Sequence, residues 1–192
     1  MLSLKGQFLV AMPEMGDERF RDAVIFMVGH GEEGAMGLVI NDGIEAMNFG
    51  DILDELELGE PADLIHVPET VRERQVLRGG PVQRGRGFVL HSPDYFRDGN
   101  SYSVSEQICL TATLDVLKAV AYSNAPADSL FALGYCGWSP GQLEDEIAGN
   151  GWLTVPYDHE LLFATPLENR YDRALGSLGI TRATLSSTAG RA

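Results

Sequence analysis

Cysteine is scarce in this 192-residue chain, and positive charge is scarcer than negative. Only two cysteines, Cys109 and Cys136, are present, too few for a disulfide scaffold, and they do not form a CxxC pair. Both sit in apolar surroundings, QICLTA and LGYCGW, which predicts reduced, buried thiols of a cytoplasmic protein. Fourteen Lys+Arg stand against 28 Asp+Glu, a formal charge of −14. A surface this acidic repels phosphate backbones, which argues against direct nucleic-acid binding and against anionic membranes. Long apolar stretches are missing too. The longest, Ala23 to Val28, has six residues, whereas a membrane span needs roughly 20. The N-terminus, MLSLKGQFLVAMPEM, lacks the layout of a secretory signal.

What is present suits a chain that folds around its own core, with 44% hydrophobic residues and no internal repeat. The length predicts one domain over residues 1–180, with residues 181–192 (TRATLSSTAGRA after Ile180) as a frayed tail. Four apolar runs, Val24–Val28, Leu38–Ile40, Phe88–Leu90 and Leu130–Leu133, read as strands buried on both faces. GHGEEGAMG between the first two reads as a hairpin loop. Helices are expected over Thr111–Asn124, with Leu114, Leu117 and Ala121 inward, and more weakly over Asn48–Leu58. Ser139-Pro140-Gly141-Gln142 predicts a capping box opening QLEDEIAG, and Thr165-Pro166-Leu167-Glu168 repeats the device before NRYDRALGSLG. The elements are interspersed without a clean βαβ alternation, so the expected fold class is α+β, a mixed sheet with helices around it.

Catalytic motifs are few. His30, His66, His91 and His159 have no HxH or HExxH spacing, so no metal is expected. GHGEEGAMG lacks a Lys-Ser/Thr ending and precedes a strand, so neither a P-loop nor a dinucleotide fingerprint is present and no cofactor is expected. Gly137-Trp138-Ser139-Pro140-Gly141 matches the nucleophile-elbow pattern G-x-S-x-G between a strand and a helix. The following residue, Pro140, has no N–H to offer an oxyanion, so Ser139 reads as a helix cap. Charge is uneven. Asp22 to Val71 holds 12 acids and no Lys or Arg, while Arg72 to Arg86 holds five Arg and one Glu. Those arginines are expected to answer the acidic segment across the fold.

Taken in order, GQFLVAMPEMGDERFRDAVIFMVGHGEEGAMGLVIN, GGPV, GFVLH, ALGYCGWSPGQLEDEI and GWL resemble the bacterial AlgH/YqgE family, from about Gly6 to about Leu175. The resemblance implies a single α+β domain with a bifurcated mixed sheet, part of it closing as a small barrel, and helices outside. The family carries a regulator label, which is not a mechanism. One departure is visible: the family places a basic residue and Pro after the Asn that ends its VLN strand, whereas here Asn41 is followed by Asp42-Gly43.

The matched motifs nominate a ligand-binding site: Asp17, His30, Asn41, Arg78, Gly79, Gly80, Pro81, His91, Trp138, Gln142 and Glu144. They are polar residues or glycines where strands end. If they form one site, the Gly79-Gly80 turn, His91 and Trp138 must share a cleft. Arg78 would then supply the charge that Asp42 removes. The expected function is a non-enzymatic binding or regulatory protein with a small molecule or a protein as its partner. The alternative is a hydrolase or other small-molecule enzyme using His30 or His91 as base with Glu144 or Glu146 as acid.

Overall fold

The computed structural model describes residues 3–13, 15–56, 67–121 and 125–188. His66 and residues 57–58 and 122–124 of the two expected helices lie outside them. The first strand, β1 (Phe8–Ala11), pairs antiparallel with β2 (Val24–Gly31), which turns back into β3 (Gly34–Val39). The loop between β2 and β3 is a two-residue turn at Glu32-Glu33, with Gly31 opposite Gly34. A short antiparallel pair follows, β4 (Gly43–Asn48) and β5 (Gln75–Arg78). Then come β6 (Val82–His91), β7 (Ser101–Ser103) and β8 (Cys109–Thr111). The central strand is β9 (Ser129–Trp138), and β10 (Trp152–Val155) closes onto β1.

Forking occurs at β9. On one side it pairs with β6 along most of its length. On the other, Phe131–Leu133 run parallel to Val76–Arg78, while Cys136–Trp138 run antiparallel to Ala35–Gly37. Between these partners lies Gly134 at φ +74°, where a Cβ would stand 2.5 Å from the Gly80 carbonyl oxygen. A side chain there would collide with backbone, so glycine is required. The sheet is mixed and curled into a half-barrel, in agreement with the expected fold class.

The helices are α1 (Phe49–Glu55), α2 (Glu69–Arg72), α3 (Leu114–Ala121), α4 (Gln142–Ala148), α5 (His159–Phe163), α6 (Arg170–Ser177) and α7 (Arg182–Thr188). Along β2, Val24, Phe26 and Val28 enter one core cluster while Ile25 and Met27 enter another, so the strand is buried on both faces. A third cluster lies under α1 and α3, centred on Phe49 stacked against Phe131. In α3 the buried residues are Val116, Val120 and Ala121. Leu114, expected inward, is 50% exposed because the helix begins there and turns its first residue away.

Several local expectations are corrected. Asn48 and Asp51 form a full capping box at α1. Ser139 does not cap α4: its backbone N–H donates to Gln142 Oε1 at 3.0 Å, only the reciprocal arm of the box, and Gly141 takes the N-cap at φ +79°. Thr165 does not cap α6 either. Its hydroxyl donates back to the Glu160 carbonyl at 2.8 Å, and a 3₁₀ turn (Leu167–Asn169) intervenes. Residues 182–188, expected in a frayed tail, form α7. Leu185 is buried in the main core, and Arg182 pairs with Asp22 and Asp172 at 2.6 Å. A single leucine and a two-way ion pair hold what low overall hydrophobicity did not reveal.

Candidate functional site

The nominated residues do not converge on one cleft. Strand register separates them into three places. His91 pairs with Ser129 at the start of β9, and Trp138 lies nine positions further along that strand. At ~3.3 Å per residue they are about 30 Å apart.

His91 is fully buried. Its Nδ1 donates to the Ser92 carbonyl (2.9 Å), and its Nε2 accepts from the Thr111 hydroxyl (2.9 Å), which in turn receives Ser101 Oγ (2.8 Å). Burial pulls its pKa below the ordinary histidine value. Both ring nitrogens are occupied, so His91 ties β6 to β8 as a neutral structural group.

A second group forms where the β2–β3 hairpin meets α4. Glu144 Oε1 lies 2.8 Å from His30 Nε2, and the Leu4 backbone N–H donates to His30 Nδ1 at 3.0 Å. That backbone donor fixes the tautomer, so the proton sits on Nε2 and is donated to Glu144. A bond from its own backbone N–H and the contact with His30 hold the Glu144 carboxyl below the usual range. Beside it, Glu146 is the hub of a denser set. Its Oε2 accepts from the indole N–H of Trp138 (2.8 Å) and of Trp152 (2.7 Å), and its Oε1 accepts from Gln142 Nε2 (2.9 Å). The two indoles meet edge to face. Each feature is a backbone or packing constraint. The His30 side chain is 3% exposed, and neither it, His91, Glu144 nor Glu146 lines any of the three principal clefts among the described residues.

The third place is open. Asn41, Arg78, Gly80 and Pro81 line a cleft of about 420 Å³ together with Arg19 and Arg84. Asn41 braces its floor: Oδ1 accepts from the Val24 N–H and Nδ2 donates to the Asp22 carbonyl, both at 2.8 Å. Gly79 and Gly80 let the chain cross β9. A Cβ on Gly79 would stand 2.4 Å from the Gly134 oxygen, and one on Gly80 2.2 Å from the Tyr135 carbonyl carbon. The close approach expected there is thus to β9. Arg78 does not replace the missing basic residue, because Asp42 itself holds its guanidinium at 2.8 Å. Asp17 caps the 3₁₀ turn Glu18–Phe20 and grips Arg19 at 2.5 Å. The Arg19 hydrogen bond depresses the Asp17 pKa.

Sequence reasoning singled out neither Arg19 nor Arg84 individually. The arginine-rich segment contained Arg84, but pairing across the fold accounts only for Arg72 with Asp54 (2.6 Å) and Arg78 with Asp42. Arg84 makes no hydrogen bond or ion pair with a described residue, so its charge is available to the cleft. The other sizeable cleft, about 410 Å³, is apolar and lies between α1, α3 and β6. Among the described residues no cluster of three His, Cys, Asp or Glu could hold a metal ion, and no helix is long and apolar enough to cross a membrane.

A half-barrel sheet forked at its central strand, with helices packed on both faces, defines a distinct architectural class. The chain belongs to the AlgH-like family, which it matches over residues 8–183. It is 50% identical to a UPF0301 protein of Sinorhizobium medicae over 98% of this chain and 93% of that one. A UPF0301 protein of Rhodopseudomonas palustris is 49% identical over 98% and 89% of the two chains. The solution structure of the AlgH protein from Pseudomonas aeruginosa superposes with a TM-score of 0.78 at 40% identity, covering 99% of this chain and 96% of that one. A crystal structure of a Corynebacterium diphtheriae protein shares the fold at 17% identity, with a TM-score of 0.68 over 91% and 86% of the chains.

Proposed function

We propose that this chain is a cytoplasmic binding or regulatory protein that engages its ligand or partner through the arginine-lined cleft. A single observation carries the reading: four of the nominated residues, Asn41, Arg78, Gly80 and Pro81, line one and the same cleft. The paired guanidiniums keep free N–H groups beyond those used internally, since each has five donors and Arg78 spends Nη1 alone on Asp42. Acceptors such as carboxylates or phosphoryl groups match that lining.

Enzymatic use of His30 with Glu144 has the right hydrogen-bond length, but neither residue lines the arginine-lined cleft. Direct DNA reading is disfavoured by the formal charge of −14. Native mass spectrometry of freshly purified protein tests the proposal. A co-purifying small molecule or partner is expected, and Arg84→Glu is expected to release it. A bound species that is kept by Arg84→Glu and lost from His30→Gln would move the function to the other site.

A further inference from the structure

Arg170, the first residue of α6, is a buried cation without a buried anion. It is 4% exposed, and no carboxylate pairs with it among the described residues. Nε donates to the Thr165 carbonyl at 2.9 Å and Nη1 to the Ile40 carbonyl, while Nη2 donates to no described residue. Burial pulls its pKa down to about 10. Carbonyl dipoles offset only part of the cost of desolvating a full charge.

Arg170 lines a cleft of about 310 Å³ between α6, β5 and the start of β9. Arg74 lines the same cleft, with its guanidinium fixed through Nη1 to Ser129 Oγ at 2.8 Å. One carboxylate is present, Asp128, whose Oδ2 lies 3.3 Å from His159 Nε2. Two guanidiniums against one carboxylate leave one positive charge to be answered. Leu77, Phe163 and Leu167 add an apolar wall to a lining that is otherwise mostly polar.

We propose that this cleft binds a small monocarboxylic acid with an apolar body. The carboxylate bridges Arg170 and Arg74, and the hydrocarbon rests on Phe163 and Leu167. A single negative charge completes the balance. A dianion would bring surplus charge towards Asp128. The site is separate from the cleft that contains Arg84, so it stands or falls independently of the function proposed above.

The experiment is a titration of the full chain with butyrate, its neutral analogue butyramide, and inorganic phosphate. It is followed through backbone and arginine Nε–Hε signals in ¹⁵N–¹H spectra. Butyrate is expected to give saturable shifts at Arg170, Arg74 and residues 129–131, with butyramide and phosphate at least about tenfold weaker. Arg74→Gln is expected to weaken the butyrate response of these residues about tenfold or more, while Lys118→Gln, exposed and outside this cleft, leaves it unchanged. Arg170→Lys keeps the charge but loses the fork, and should also weaken binding. If that variant fails to fold, Arg74→Gln decides alone. Equal binding of butyramide, equal binding of phosphate, or unchanged butyrate affinity in Arg74→Gln overturns the proposal.

Discussion

His30 and Glu144 lie 114 residues apart in the chain and are joined by a 2.8 Å hydrogen bond that pins the β2–β3 hairpin to α4. Because the Leu4 N–H occupies the other ring nitrogen, the same imidazole also fastens the start of the chain. The pair is a three-way clasp between the N-terminal segment, the hairpin and the helix.

That clasp has a pH signature. The Glu144 pKa is depressed in the folded state, so its contribution is complete above the unfolded value of about 4.3 and fades as pH falls through the lower folded value. Glu144→Gln is expected to lower the melting temperature at neutral pH and to flatten its decline under acid. Melting curves from pH 7 downwards check this, and an unchanged acid limb would count against it.

Glu146 carries more. Replacing it with Ala leaves two indole N–H groups, on tryptophans only 7% and 3% exposed, without their acceptor. Denaturant unfolding is expected to show a loss of about 2–4 kcal/mol. Since Trp138 and Trp152 are the only tryptophans in the chain, native fluorescence should change in parallel. Glu146→Gln retains one acceptor oxygen and should cost less.

Both thiols are free and buried, and burial pushes Cys136 up to about 12 and raises Cys109 as well. Iodoacetamide at pH 8 should label neither appreciably in the native protein and both after denaturation without reductant. Intact mass gives the count, and fast native labelling of Cys136 would contradict its burial.

At the α4 entrance the ordering of two variants is inverted relative to the sequence pattern. Ser139 offers only its backbone, so Ser139→Ala should cost less than about 0.5 kcal/mol. Gln142→Ala removes the acceptor of the Ser139 N–H and a donor to Glu146, and should cost about 1–2 kcal/mol. Thermal or urea unfolding of the two variants side by side decides the order. Fluorophosphonate labelling of Ser139 should be absent.

Elements with short-range causes were the legible ones. Unbroken apolar runs marked β2, and the two glutamates between glycines marked its turn into β3. In β6 and β9 only the apolar parts were visible. The VQRGRG half of β6 holds no apolar run, and five of its six residues are exposed despite being within the strand. β5 was concealed in an arginine-rich stretch because only Val76 and Leu77 face inward. The site was less legible than the fold for one reason. Gly80, His91 and Trp138 each looked like a strand-end residue, but which strand ends meet is decided by register on β9, and no local pattern encodes that pairing. Arg170 was silent for the same reason: its partners are two carbonyls, one of them 130 residues away.

The place of β9 in the chain also bears on biosynthesis. Both branches of the fork, and one edge of β6, wait for residues 129–138, so about two thirds of the polypeptide leaves the ribosome before its central strand exists. Until then the free edges of β3 and β6 face solvent as unpaired templates. Chains truncated before Ser129 should therefore be strong clients of cellular chaperones, whereas chains reaching Trp138 can close both branches in one event.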